Sequence, residues 1–269
     1  MAKQLLILFL FFSNITFAQL QFSDIASSVS ASYSYGSSTI GGGVSFVDFD
    51  NNGWDDLTYS TDETQEIYFL KNNAGTFTRI MFQGINEKAR AKQVLWIDYD
   101  NDGDKDFFVT NIQGKNSLYQ NDGNFVFTDV TESVGLYTND LPSYGAAFGD
   151  IDNDGDLDLF LSTRGVDAND RNYLYRNDTG NFVDVTQTAG INLTVEYSFC
   201  AAFFDYDNDG DQDIYISNDK LSTINRLYQN NGDGTFADTS VASGAGITAN
   251  AMSTTIGDYN SDGFLYICI

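Results

Sequence analysis

The chain has 269 residues, with 38 acidic and 13 basic side chains, a formal net charge of −25 and no histidine. Nucleic-acid binding needs a basic footprint that this balance excludes, and any partner held by bulk electrostatics should be cationic. Lack of histidine removes Ser-His and Cys-His nucleophiles and His-ligated zinc, while 15% aromatics and 24 glycines against one proline fit a large core with many tight turns.

The first residues read as a leader. Residues 1–18, MAKQLLILFLFFSNITFA, place a basic Lys3 before an apolar stretch from Leu5 to Phe12, then end on Thr16-Phe17-Ala18, which resembles a signal-peptidase site. The apolar run is far short of the roughly 20 residues needed to span a bilayer. Cleavage after Ala18 is therefore expected, with no membrane span remaining. The mature protein would be exported: secreted, or held at the cell surface or in the periplasm.

Residues 19–269 read as one repeat domain. An acidic phrase recurs as DFDNNGWDD from Asp48, DYDNDGDKD from Asp98, DIDNDGDLD from Asp150, DYDNDGDQD from Asp205 and a damaged DYNSDGFLY from Asp258, at intervals of 50, 52, 55 and 53 residues. A second phrase alternates with it: LYQNDGNFVFTDVTESVGL from Leu118, LYRNDTGNFVDVTQTAGI from Leu174, LYQNNGDGTFADTSVASGAGI from Leu227, and a worn FLKNNAGTFTRI from Phe69. Each unit thus predicts four short strands, A to D. Apolar A leads through the acidic loop to apolar B; a polar loop leads to C, and an Asn/Gly turn leads to D. A period near 50 with such units predicts an all-β protein, a β-propeller of four-stranded antiparallel blades. About four full blades and a partial fifth are expected. The segment QFSDIASSV, Gln21 to Val29, matches the D phrase FTDVTESVG and is expected to supply the outer strand of the last blade. Because the sequence reaches Ile269 inside strand B of a fifth unit, it is read as the N-terminal portion of a longer propeller, with a complete four-blade ring as the alternative.

The acidic loop has a cation's geometry. Asp205, Asp207 and Asp209 stand at positions 1, 3 and 5, Gly210 at position 6 permits a positive φ, and Asp213 closes the loop at position 9. Oxygen ligands at this spacing, with the position-7 carbonyl, suit calcium, which takes six to eight oxygens. An EF-hand would need a glutamate at position 12 between helices, but Tyr59, Val109, Leu161 and Ile216 stand there, inside predicted strands. Each loop is therefore expected to join strands A and B, and its calcium to be structural.

The phrases GDIDNDGDLDLFLS and LYRNDTGNFVDVTQTAGI resemble the FG-GAP or VCBS-type repeats of calcium-binding propellers, as in integrin α-chain heads. They are especially similar to bacterial relatives of cartilage acidic protein, which often carry a downstream ASPIC/UnbV domain. The resemblance covers roughly residues 20 to 269. It implies ligands Asp48, Asp50, Asn52, Trp54 (by its carbonyl) and Asp56 in the first blade, and Asp98, Asp100, Asp102, Asp104 (carbonyl) and Asp106 in the second. In the third they would be Asp150, Asp152, Asp154, Asp156 (carbonyl) and Asp158, and in the fourth Asp205, Asp207, Asp209, Asp211 (carbonyl) and Asp213. In the fifth, Asp258, Asn260 and Asp262 remain but Tyr266 replaces the last acid, so that site is expected to be weak or empty.

Such a propeller is expected to be a monomeric, non-enzymatic binding or adhesion module for an extracellular protein or glycan. The alternative is the propeller portion of a polysaccharide-degrading enzyme such as a lyase. No catalytic constellation is visible: Glu66, Glu87, Asp167, Asp170 and Glu196 have no motif-like spacing and read as solvated loop acids. Tyr119, Tyr175 and Tyr228 read as blade packing with bonded hydroxyls, Asn116, Asn172 and Asn225 as amides that fix loops, and Trp96, Cys200 and Cys268 as core. If strands alternate in direction, the A–B loops and C–D turns share one face, and the B–C and D–A loops share the other. Lys88, Arg90, Lys92, Lys115, Arg164, Arg171 and Lys220 fall on the latter, which makes that face a candidate site for an anionic group such as an acidic glycan or a polypeptide carboxylate, the alternative being that loops simply collect polar residues while the acids keep to calcium.

Overall fold

The computed structural model describes residues 21–36, 41–165 and 167–269; the expected leader, residues 1–18, lies outside the described residues. All regular elements among them are strands, and none of the described residues forms a helix long and apolar enough to cross a membrane. The first sheet is β1 (Val44–Val47), β2 (Asp56–Tyr59), β3 (Tyr68–Asn73) and β4 (Thr76–Ile80). The second is β5 (Ala91–Ile97), β6 (Asp106–Asn111), β7 (Ser117–Asn121) and β8 (Phe127–Asp129). The third is β9 (Ser143–Gly149), β10 (Asp158–Thr163), β11 (Tyr173–Asn177) and β12 (Phe182–Asp184). The fourth is β13 (Ser198–Phe204), β14 (Asp213–Ile224), β15 (Arg226–Asn230) and β16 (Phe236–Asp238). Each pairs antiparallel in chain order, so these are strands A to D of four propeller blades. The strands A of successive blades contact one another, which places them innermost.

Strand B is the most buried element because it lies mid-sheet with blades on both faces. All six positions of β6 and all six of β10 are buried, and their apolar runs FFV and LFL suit a strand without a wet face. Between the first two blades Trp96 packs with Phe49, Phe69, Phe107 and Phe127, and its indole N–H donates to Thr58 Oγ1 across the interface at 2.9 Å. Trp96 is core, as expected. The blades are also stitched by backbone: the connection after each D strand offers a carbonyl to the next blade's D strand. Val29, Gln83, Val134 and Ala189 accept from the N–H of Phe77, Phe127, Phe182 and Phe236 at 2.9, 2.8, 2.7 and 2.8 Å.

Three expectations meet a different picture among the described residues. The segment before Val29 reproduces the turn that follows a D strand, with Ala26 N–H on Asp24 Oδ1 at 3.0 Å as Thr131 N–H sits on Asp129 Oδ1 at 3.2 Å. Among the described residues Gln21–Ile25 forms no strand pair and Phe22 is 94% exposed, and the fifth unit shows β18 (Thr255–Gly257) and β19 (Tyr266–Cys268). Second, β14 runs past its blade to Ile224 and pairs there with β17 (Thr248–Asn250), where the polar sequence suggested a loop. Third, neither cysteine is core: Cys200 is half-buried, Cys268 is exposed, and both are free.

Candidate metal centres

Each acidic loop is folded by its own carboxylates. The position-1 acid accepts the N–H groups of positions 5 and 6: Asp48 those of Asn52 and Gly53 at 3.0 and 2.7 Å, Asp150 those of Asp154 and Gly155 at 3.2 and 3.0 Å, Asp205 those of Asp209 and Gly210 at 3.1 and 3.0 Å. In the second loop Asp98 accepts from Gly103 at 3.0 Å. The position-6 glycines Gly53, Gly103, Gly155 and Gly210 have φ of +88° to +98°, and a Cβ there would meet nothing within 4 Å. Glycine is required for its backbone conformation and not for space.

Positions 1, 3 and 9 converge. Asp48, Asp50 and Asp56, then Asp98, Asp100 and Asp106, then Asp150, Asp152 and Asp158, then Asp205, Asp207 and Asp213 each bring one carboxylate oxygen within 4.8 Å of the others. Position 9 is a strut as well as a ligand candidate. One oxygen of Asp158 accepts from Ile151 N–H and the other from Asn177 N–H, both at 2.7 Å, which ties the loop to strand C. Asp106 does the same to Tyr99 and Asn121 at 3.2 and 2.8 Å, and Asp213 to Tyr206 and Asn230 at 2.8 Å each. Position 3 is braced from strand C by Lys71 on Asp50, Gln120 on Asp100 at 2.6 Å and Gln229 on Asp207 at 2.7 Å.

Apart from Lys71 on Asp50, no ion pair reaches these clusters among the described residues. Burial first, then neighbouring acids, pushes Asp106 and Asp158 up to about 7 and Asp213 up to about 6, and raises Asp56, Asp100 and Asp152. Asp98 Oδ1, Asp100 Oδ1 and Asp152 Oδ1 are buried without a hydrogen-bond partner among the described residues. Buried oxygens of this kind are costly unless a donor or cation meets them. The donor set is all oxygen, with no imidazole or thiolate, so the residues fit a hard cation such as calcium.

The remaining predicted ligands behave differently. Of the position-5 residues, Asp102, Asp154 and Asp209 are not among the converging acids, and all four, Asn52 included, turn a side-chain oxygen onto the N–H of position 7 at 2.8 to 3.0 Å. At position 7, Trp54 is 49% exposed, while Asp156 and Asp211 reach to the preceding blade's loop, so only a carbonyl is left for an ion. In the fifth loop Asp258 folds the backbone as elsewhere, accepting from Asp262 and Gly263 at 3.1 and 2.9 Å. There the Tyr266 hydroxyl and Asn260 both donate to Asp262 Oδ2, at 2.8 and 2.9 Å.

Sequence reasoning missed position 4. Asn51, Asn101, Asn153, Asn208 and Ser261 all have φ between +56° and +61°, a conformation asparagine tolerates better than most residues. Their amides chain the loops together: Asn101 Nδ2 donates to Asp156 Oδ1 and Asn153 Nδ2 to Asp211 Oδ1, both at 2.7 Å. The signal was available, as an asparagine at the fourth place of four copies. Asn153→Ala is expected to destabilise the protein by about 1–2 kcal/mol in urea titrations, from backbone strain plus an exposed charge-assisted bond. Asn153→Gly should recover the backbone part alone.

The other assignments fall as follows. Tyr119, Tyr175 and Tyr228 are buried, with Tyr119 Oη on Glu87 at 3.2 Å and Tyr228 Oη accepting from Asn192 N–H at 3.2 Å. Asn116, Asn172 and Asn225 fix the B–C loops by accepting the N–H of Asn111, Thr163 and Asn218 at 2.9 Å each. Glu87 and Glu196 are not solvated acids but 7% and 4% exposed, and Asp170 is buried too. The bases of the opposite face are mostly neutralised, Lys88 by Glu66, Arg90 by Glu63, Lys115 by Asp129, Arg164 by Asp219 and Arg171 by Asp184. That pairing removes most of the free positive charge on which an anionic ligand would depend.

The FG-GAP-like repeat family matches at residues 48–109, 98–161, 163–216 and 205–269. Among solved structures, the chain is similar to an Agrocybe aegerita lectin described for specific recognition of non-reducing terminal N-acetylglucosamine, with 14% identity and a TM-score of 0.50 over 83% of this chain and 59% of that one. It is also similar to the V. cholerae biofilm matrix protein Bap1, with 13% identity and a TM-score of 0.45 over 80% of this chain and 33% of that one. The chain thus spans less than two thirds of either structure. No curated protein matches it in sequence.

Proposed function

The chain belongs to the FG-GAP-like repeat family, and on that premise we propose that it is an exported, calcium-stabilised propeller acting as a non-enzymatic binding or adhesion module. The observation that carries this reading is the contrast between the two faces. On one, four acid loops repeat the same geometry, each pinned by its position-9 aspartate to strand C. On the other, the B–C and D–A loops differ in length and sequence, as expected where a rigid scaffold presents variable recognition. Kinship with integrin α-chain heads and ASPIC/UnbV-associated proteins, and a secreted, surface or periplasmic location, belong to the same reading.

A glycan or protein is the ligand class, and the varied face offers a surface for it. Tyr144 and Phe199 pack with centroids 4.6 Å apart and their planes tilted by 44°, and the Arg164 guanidinium lies 5.2 to 5.7 Å from the rings of Tyr144, Tyr197 and Phe199. The half-buried rings of Tyr144 and Phe199 border an open depression of about 310 Å³ at the start of the A strands, beside Gly43, Lys92 and Gly145. Aromatic faces with a polar rim are suited to sugar stacking, and the lectin's recognition of a terminal sugar is consistent with that use of the fold. An array of glycans and extracellular proteins, probed with the full chain in calcium, tests it. Binding that is lost in EGTA and reduced by Phe199→Ala is the expected result; no binding to either class would sink the reading.

A further inference from the structure

Blade repetition supplies an internal template. In the fourth blade Arg226, first residue of strand C, donates to buried Glu196 through Nε and Nη2 and to Asp238 through Nη1 at 3.0 Å. In the third blade Tyr173 occupies that place, but the Arg171 guanidinium lies 4.2 Å from its ring and pairs with Asp184 at 3.0 Å. In the first, Tyr68 occupies it and the Arg79 guanidinium lies 3.7 Å from its ring. One position, three blades, three arginines supplied by the chain itself.

The second blade keeps the acids and lacks the arginine. Glu87 matches Glu196, because each accepts from the equivalent strand-B amide at 3.3 Å, Asn111 for one and Asn218 for the other. Asp129 matches Asp238, being opposite Tyr119 as Asp238 is opposite Tyr228. Ser117 stands where Arg226 stands, and Arg90 is committed to Glu63. A pocket of about 490 Å³ opens there, lined by Glu87, Lys88, Lys115, Ser117, Tyr119 and Asp129. Lys115 takes Asp129 and Lys88 takes Glu66, but among the described residues Glu87 makes no ion pair and is hydrogen-bonded by neutral groups such as Asn111 and Tyr119. Burial raises the Glu87 pKa, outweighing the hydrogen bonds of Ser117, Tyr119 and Asn111 and the charge of Lys115, which is itself committed to Asp129, so the carboxylate is a costly buried charge.

We propose that this second-blade pocket receives a guanidinium, the arginine side chain of a partner polypeptide, in the place that Arg226 fills in the fourth blade. The site is separate from the aromatic depression and does not depend on what binds there. A formal charge of −25 favours a cationic partner. A free amino acid is disfavoured because the bordering lysines already hold Glu66 and Asp129, leaving its carboxylate without a committed cation.

Calorimetric titration of the calcium-loaded chain at pH 8 with the blocked peptide acetyl-Gly-Arg-Gly-amide tests the proposal, with the citrulline peptide and free arginine as comparisons. Saturable binding of the arginine peptide, weakened about tenfold or more by Glu87→Gln and by citrulline, is the expected result. Ser117→Arg should plug the pocket and block binding without lowering the melting temperature, which separates lost binding from lost folding. No saturable binding, equal binding by Ser117→Arg, or a tenfold preference for free arginine would each overturn it. A negative array result alongside a bound arginine peptide would remove the glycan surface and leave this pocket standing.

Discussion

Excess EGTA is expected to lower the melting temperature substantially, and re-added calcium to restore it. Four converging acid groups are each left crowded with like charges when the metal is gone, with one ion pair, Lys71 on Asp50, in the first loop. Extracellular calcium modules have dissociation constants on the order of 10⁻⁴ to 10⁻³ M. At about 10 mM calcium, linkage then gives roughly 1.4 to 2.7 kcal/mol per site. Four sites acting together would move the midpoint by roughly 10–30 °C in a domain of this size. Differential scanning calorimetry reads the shift directly, and superimposed curves with and without EGTA would end the claim of structural calcium.

The same acids set a pH dependence whose sign differs between the two forms. Without metal, Asp106 and Asp158 ionise near 7 and Asp213 near 6 in the folded state, against an ordinary 3.8. The folded state therefore holds more protons than the unfolded state across that window. Stability from these groups is complete below about pH 4 and is lost as pH rises through 6 to 7. In EGTA the melting temperature should fall from pH 5 to pH 8. Calcium needs the carboxylates ionised, so its binding releases protons and its affinity should rise over the same range.

Local repetition made the blades and the acid loops readable. A carboxylate at alternate positions followed by a glycine states both a turn and a ligand set, and five copies fix the register of every strand around them. What the spacing could not state is what else those atoms touch. Asp158 reads as the ninth-position ligand, yet both its oxygens are taken by backbone N–H groups, one of them 19 residues away on strand C. The bases of the varied face read as free charge because their partners are distant in sequence, as Glu63 is from Arg90. Glu87 and Glu196 read as loop acids because each D–A connection differs, and only the fold shows them under an equivalent asparagine. Polar Asn218 to Ile224 reads as a loop, but β17 gives it a partner strand.

The double duty of position 9 can be separated from metal binding by comparing Asp158→Ala with Asp154→Ala. Asp158 is fully buried, and its removal leaves the N–H groups of Ile151 and Asn177 without acceptors. Each orphaned donor costs about 1–3 kcal/mol, so Asp158→Ala should lose roughly 2–5 kcal/mol even in EGTA. Asp154 is exposed and accepts from Asp156 and no deep donor, so its loss should cost about 1 kcal/mol in EGTA. In calcium both variants should bind one ion fewer by calorimetric titration. Asp262→Ala should leave the stoichiometry unchanged, because Tyr266 stands where a fifth strut would be and its hydroxyl is bonded to Asp262 itself. Urea melts of the three variants, run with and without EGTA, decide between the two contributions. If Asp154→Ala and Asp158→Ala were equally destabilised without metal, position 9 would be a ligand and nothing more, and the four loops would owe their attachment to strand C to the ion alone.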